Sequence, residues 1–208
     1  DFLVQFAKDR NLEVYQDEIL NVIIKKPGTP GYENSEPLII QGHMDMVCVK
    51  TDDSNHNFDT DPIEMIVEGD VLRANNTTLG GDDGIAVAYG LAILDADDIP
   101  HPPLELLVTT NEETGMDGAM ELKADHLSGT RLLNLDTEVE GDFLVSCSGG
   151  SNIDLSFDIE REANSSKAYK LSISGLKGGH SGVEIDKQRA NAIKLAARLL
   201  YLVKADVR

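Results

Sequence analysis

Two adjacent glutamates, Glu112 and Glu113, follow an apolar run at 104–108 that has the composition of a buried strand. Neighbouring carboxylates repel each other unless a cation compensates their charge. A metal ion beside one of them would do so and would leave the other free to move a proton. A solvated acidic turn is the simpler interpretation of this pair alone, so the other strand ends must decide.

Ligand-type residues also occur where other predicted elements begin or end. His43 and Asp45 follow the apolar run 38–40, Asp82 stands among glycines at a helix start, and Asp136 ends the run 132–136. Open α/β sheets gather their sites at the carboxyl ends of the strands. Histidine and carboxylates are the ligands of hydrolytic zinc, manganese or cobalt sites, so together these residues predict one metal centre.

His43 and Asp45 share a face if the chain stays extended between them, because alternate residues of a strand point the same way. That spacing suits a metal-binding imidazole whose other nitrogen is held by a nearby carboxylate. Taken alone, a His-x-Asp pair is also typical of a helix cap or of the protein surface.

Hydrophobic periodicity predicts strands that alternate with helices, which implies an α/β fold with a mixed, largely parallel sheet flanked by helices. The predicted helices cover 2–8, 85–94 and a short segment after Gly115. The predicted strands are 14–15, 22–24, 38–40, 104–108 and 132–136, with a hairpin formed by 64–67 and 71–72.

The composition changes near residue 148, where we place a domain boundary between 1–147 and 148–208. Strict alternation at 153–159 and 171–173 predicts antiparallel strands, and a helix is expected over 190–202. The first part would be the metal-binding catalytic domain, and the second would begin an α+β domain.

The charge balance constrains the partners. The chain has 37 acidic and 18 basic residues and a net charge of −19. Phosphate backbones require clustered Lys and Arg, so nucleic acid is excluded, whereas metal ions and amino-group substrates suit this charge. No apolar run reaches the roughly 20 residues that cross a membrane. The absence of a signal peptide and the presence of only two cysteines predict a cytoplasmic protein.

The ends of the sequence indicate a piece of a longer protein. The chain begins without methionine and ends inside a helical pattern at 203–208.

Five segments then carry a resemblance to a known family. They are Gly42–Asp45, Thr78–Gly84, Thr110–Gly115, Asn134–Asp136 and Gly178–Gly182. In order and spacing they resemble the M20 family of zinc metallopeptidases, within it most of all the aminoacyl-histidine dipeptidases (the Xaa-His or PepD group). The resemblance covers nearly the whole chain.

The resemblance implies a centre of two divalent metal ions, zinc foremost, with manganese or cobalt as alternatives. His43 would bind one ion, Asp82 would bridge both, Glu113 would bind one, and Asp136 would bind the other. A further histidine would come from a segment nearer the C-terminus of the family pattern. We therefore expect residues 1–208 alone to bind at least one metal poorly and to be inactive.

The resemblance also implies the catalytic roles. Asp45 would orient His43, and Glu112 would serve as general base and then as general acid toward a metal-activated water. His180 would stabilise the oxyanion from the lid domain that begins at 148. The expected substrate is a small peptide, an unblocked dipeptide of the Xaa-His type, and the family pattern allows a homodimer.

Two other functions stay open at this point: a related metal-dependent amidohydrolase or deacylase of N-acyl amino acids, and a non-catalytic interaction module on the same fold. A calcium loop at 53–64 is disfavoured because Phe58 stands where the sharp turn needs glycine. His56, His101 and His126 lie in polar or proline-rich stretches and are expected at the surface.

Overall fold

The computed structural model describes residues 1–137, 139–147, 149, 151, 153–163, 165, 167–179 and 184–203. The chain divides into two compact units, Asp1–Glu140 and Gly141–Arg208. The domain boundary near residue 148 remains a prediction. Among the described residues, no helix combines the length and the apolar composition needed to span a bilayer.

The first unit is built around a five-stranded sheet. In chain order its elements are α1 (Phe2–Asp9), β1 (Glu13–Gln16), β2 (Val22–Lys26), β3 (Leu38–His43), β4 (Met65–Glu68), β5 (Val71–Ala74), α2 (Gly81–Asp95), β6 (Leu104–Thr109), α3 (Glu112–Gly115), α4 (Asp117–Glu121), a 3₁₀ turn (Ala124–His126) and β7 (Arg131–Asn134). The strand order is β1-β2-β6-β3-β7, and β4 and β5 form the predicted hairpin apart from it.

The sheet is mixed. β3 pairs in parallel with both β6 and β7, whereas β2 pairs antiparallel with β1 and with β6. Helices complete the α/β architecture, so the predicted fold class is confirmed. The parallel register aligns His43 with Thr109 and Gln41 with Asn134. The carboxyl ends of β3, β6 and β7 therefore meet at one edge of the sheet.

Apolar side chains cover both faces of this sheet. One cluster packs Leu3 and Ala7 of α1 and Leu94 of α2 against the sheet, and the opposite cluster contains Ile23, Ile39 and Leu107. Every residue of β6 is buried, because this strand lies between β2 and β3. Burying a leucine or valine side chain stabilises a fold by about 1.5–3 kcal/mol. The several buried side chains of β6 therefore hold this strand in place up to its end at Thr109.

β7 differs from its prediction as a buried strand. All four of its residues are exposed, and Leu132 retains 54% of its accessible surface. Among the described strands, β7 pairs with β3 alone. Its apolar sequence is sufficient for extended pairing, but burial also requires a covering layer, which a sequence run does not supply.

The predicted strands at 153–159 and 171–173 are wrong for this structure, which forms no strand in either range. Ile153 and Phe157 are 79% and 78% exposed. Alternating residues form a strand only where a neighbour supplies hydrogen bonds and an apolar face to bury. The predicted helix is present as α5 (Ala192–Val203), after a 3₁₀ turn at Ile185–Lys187.

Glu105 of β6 is a buried carboxylate at the end of the sheet opposite His43. It is 2% exposed and accepts hydrogen bonds from the Ser128 amide and hydroxyl and from the Gly129 amide. The Lys25 ammonium lies 3.4 Å away. Burial alone would raise the pKa of Glu105, but these hydrogen bonds outweigh it and lower the pKa below its usual value.

We predict that Glu105 makes the stability of this unit depend on acid pH. The pKa of Glu105 is lower in the folded state than in the unfolded state, so its ionised form stabilises the fold. This contribution to the free energy of unfolding is complete above pH 4.5 and is lost as pH falls through the folded-state pKa. Glu105→Gln should cost about 1–3 kcal/mol at neutral pH and much less in acid. Urea unfolding at several pH values measures this, with the exposed Glu121→Gln as control. Equal losses at neutral and acid pH would contradict the assignment.

Candidate metal centre

His43 is the buried centre of the predicted site. It ends β3 and is 1% exposed. Its Nδ1 lies 2.9 Å from the backbone oxygen of Asp45, which can only accept a hydrogen bond, so Nδ1 carries the proton. The other nitrogen, Nε2, is then directed at Asp82 Oδ1, 3.1 Å away.

Carboxylates surround Nε2 on the side away from the core. Glu112 Oε2 and Asp136 Oδ2 each lie 3.9 Å from it. The ligand-type atoms form three groups within 4.8 Å: His43–Glu112–Asp136, His43–Asp82–Glu113 and Asp82–Asp83–Asp136. The groups share members, so one cation can neighbour another across a common carboxylate. This set of donors fits divalent metal ions such as zinc.

Burial and mutual repulsion perturb the acids of this cluster. Burial raises the pKa of Glu112, and the charges of Asp136, Glu113 and Asp82 raise it further against the opposing effect of His43. Burial also raises the pKa of Asp83 to about 6. A carboxyl whose pKa moves toward neutrality is suited to accept and donate protons.

The imidazole of His43 has a raised pKa. Burial alone would lower the pKa, but the hydrogen bond to Asp82 and the charges of Asp136 and Asp45 outweigh it. A positive charge is therefore favoured beside these carboxylates, which is the electrostatic condition that a bound cation would satisfy.

Asp45 connects His43 to the glutamate pair. Its backbone oxygen faces the ring, while its Oδ1 lies 3.5 Å from Nδ1. The carboxylate instead accepts hydrogen bonds from the amides of Glu112 and Glu113, each at 3.1 Å. The pair taken alone favours a solvated acidic turn, but both glutamates begin the single-turn helix α3. Two free amides at a helix start are natural partners of a carboxylate.

Asp83 has a contact that the sequence did not indicate. It is 1% exposed, and its Oδ2 accepts a hydrogen bond of 3.2 Å from the His43 amide. Gly42 permits this approach, because a Cβ there would lie 2.6 Å from Asp83 Oδ2 and 2.5 Å from the Ala86 Cβ. The glycine before His43 was the available signal, since a close backbone approach requires it.

The remaining histidines fall in different places. His101 was expected at the surface but is 4% exposed, so that prediction is wrong. Its Nδ1 lies 2.7 Å from the Pro102 oxygen. His126 stacks on Tyr15 with ring centroids 3.4 Å apart. His180, the predicted oxyanion residue, lies outside the described residues.

The chain is similar to known peptidases. No protein-family model matches the chain. A cytosol non-specific dipeptidase of Escherichia coli K12 is 42% identical over 202 residues, which cover 96% of this chain and 42% of that relative. The crystal structure of aminoacylhistidine dipeptidase from Vibrio alginolyticus matches with a TM-score of 0.69 and 39% identity, covering 96% of this chain and 41% of that one.

A more distant structure shares the fold. A tripeptidase from Staphylococcus aureus is 24% identical, with a TM-score of 0.55, and covers 66% of this chain and 37% of that one. The chain thus spans about two fifths of the length of the relatives it matches, 42% and 41% for the two dipeptidases.

We predict that Asp45→Asn weakens metal binding by the full-length protein. The amide would direct a donor at one of the two α3 amides, so one hydrogen bond is replaced by a contact between two donors. Losing such an orienting partner lowers metal affinity by about 10- to 100-fold. Competition with a chromogenic chelator measures the affinity, and exposed Asp97→Asn is the control. Unchanged affinity for Asp45→Asn would refute this role.

Proposed function

Because this chain belongs to the M20 dipeptidase family, we propose that the protein containing it is a metal-dependent hydrolase of dipeptides. The main supporting observation is the convergence of His43 with carboxylates from three other segments at one sheet edge. The two dipeptidase relatives support this class of substrate.

The proposed metal ligands are His43, Asp82, Glu113 and Asp136. Following the family resemblance, Asp82 would be shared between two divalent ions, zinc foremost; like His43 and Asp136, it belongs to two of the three ligand groups. Divalent ions bound there would polarise the scissile carbonyl and lower the pKa of a water molecule. The Nδ1–Asp45 contact supports His43 as a ligand, because it keeps Nε2 directed at the carboxylates.

Glu112 is the proposed general base. It would accept a proton from the attacking water and then donate it to the leaving amine. Its raised pKa supports this role, because a carboxylate with a pKa nearer neutrality is a stronger base and takes the proton from water more readily. Asp45 would hold Glu112 in place through the amide hydrogen bond, and His180 would stabilise the oxyanion.

The proposed substrate is an unblocked dipeptide, with C-terminal histidine as the preferred case. The net charge of −19 favours substrates with a free ammonium group. We further propose that residues 1–147 belong to the catalytic domain and that 148–208 begin a lid domain. The protein is also proposed to act in the cytosol, because the name of the E. coli relative gives that compartment. Its exposed free thiols at Cys48 and Cys147 suit that reducing compartment.

Mutations of Glu112 and Glu113 should have different effects on metal content and turnover. In the full-length protein, Glu112→Ala should leave metal content near that of the wild type and lower kcat by about 10²- to 10⁴-fold, because proton transfer is lost. Glu113→Ala should instead release metal. Metal analysis of the purified variants together with dipeptide turnover measures both effects. If Glu112→Ala keeps most of its turnover, the general-base role is refuted.

The substrate class is tested with matched peptides. The full-length protein should hydrolyse a free Xaa-His dipeptide at least about tenfold faster, by kcat/KM, than the same peptide with an acetylated amino group, a difference of about 1.4 kcal/mol. A preference for the acetylated compound would instead identify a deacylase of N-acyl amino acids. Failure to hydrolyse either compound would favour a non-catalytic role for the fold.

A further inference from the structure

Asn21 has a buried side-chain amide that contacts the loop carrying Glu112 and Glu113, and it is not among the residues of the proposed reaction. It lies immediately before β2 and is 1% exposed. An unpaired buried amide is costly, so such a residue persists only where it is fully bonded. Its partners come from two segments that are far apart in the sequence.

The first segment is the loop 110–118, which carries Glu112 and Glu113. Its two ends meet where the Gly118 amide donates to the Thr110 oxygen at 3.1 Å. Asn21 binds both of these end residues. Its Oδ1 accepts a hydrogen bond of 3.1 Å from the Thr110 amide, and its Nδ2 donates one of 2.8 Å to the Gly118 oxygen.

The second segment is the turn between β1 and β2. The second hydrogen of Asn21 Nδ2 is donated to Asp17 Oδ2 at 2.8 Å, and the Asn21 amide donates to Asp17 Oδ1 at 2.8 Å. The Thr110 hydroxyl donates to the Ile19 oxygen at 3.0 Å. These bonds use both donors and the acceptor of the Asn21 side chain, so its orientation is fixed by its partners.

Gly118 fits closely against this amide. A Cβ at Gly118 would lie 2.5 Å from Asn21 Oδ1 and 2.4 Å from the Thr110 oxygen. Any side chain at this position would therefore push Asn21 and Thr110 away from the base of the loop. The same loop is held near its start by the Asp45 carboxylate, through the Glu112 and Glu113 amides.

We propose that Asn21 is a positioning residue that sets the place of Glu112 and Glu113 by closing the base of their loop. This inference rests on the proposed function, in which one glutamate moves a proton and the other binds metal. A displacement of about 1 Å at such groups can lower the rate by about 100-fold. Asn21 would act through the loop, because its hydrogen-bond partners are Asp17, Thr110 and Gly118.

If Asn21 had a purely structural role, its replacement would lower stability and leave the folded site unchanged. The matched control is Glu105→Gln, which disturbs a comparably buried hydrogen-bond cluster at the opposite end of β6. Both Asn21→Ala and Glu105→Gln are expected to lower the unfolding midpoint. Only the Asn21 variant should alter the behaviour of the folded site.

The experiment uses the full-length protein. Asn21→Ala should lower kcat for a dipeptide by about 10- to 100-fold, with KM changed by less than about threefold. It should also weaken Co²⁺ binding and alter the visible absorption of the Co²⁺-loaded protein, because Glu113 moves. Glu105→Gln should match the wild type in kcat and in the Co²⁺ spectrum.

A second pair of variants covers the case in which Asn21→Ala does not fold. Thr110→Val removes the hydroxyl bond to Ile19 and should change kcat and the Co²⁺ spectrum in the same direction, by about three- to tenfold in kcat. Thr110→Ser keeps the hydroxyl and should restore both.

The inference is overturned if folded Asn21→Ala keeps the wild-type kcat and Co²⁺ spectrum, or if Glu105→Gln changes them equally. Should Asn21→Ala not fold, wild-type values for Thr110→Val overturn it. If the wild type hydrolyses no dipeptide, the proposed function fails instead. The Co²⁺ measurements then still decide whether Asn21 positions Glu113.

Discussion

Electrostatic repulsion among carboxylates is the constraint on which the centre of this structure depends. Asp82, Glu112, Glu113 and Asp136 present their oxygens around a single buried imidazole, with ligand-type atoms within 4.8 Å of one another in each group. Such a cluster has a high electrostatic cost: burial raises the pKa of Glu112, and the neighbouring carboxylates raise it further. Bound cations would relieve that cost, so the site is built to favour positive charge.

The scaffold must hold these groups against their repulsion. The parallel register brings the ends of β3, β6 and β7 to one edge, and the fully buried β6 fixes the start of the glutamate loop. Backbone amides then restrain individual groups. The Asp45 carboxylate binds the amides of Glu112 and Glu113, and the Asp83 carboxylate binds the amide of His43. Carboxylates outside the proposed ligand set thereby restrain the backbone of the proposed ligands.

Local patterns predicted the elements of the first unit well because their causes are local. The hairpin, α1 and the central strands have the expected type, and their ends deviate by a few residues. The errors occur where an element depends on a neighbour. β7 has the predicted apolar sequence but is exposed, and 153–159 alternates as a strand should but forms none. Burial and pairing are properties of two segments, so one segment cannot specify them.

The sequence by itself determined which residues can bind a cation, and that they stand after strands or at the start of a helix. Tertiary structure alone decided their contacts. The Asp45 carboxylate binds the start of α3 while its backbone oxygen faces His43. Asn21 closes the base of a loop that begins 89 residues further along the chain. Side-chain type and local periodicity are encoded residue by residue. Hydrogen-bond partners become fixed only when distant segments pack together and exclude water.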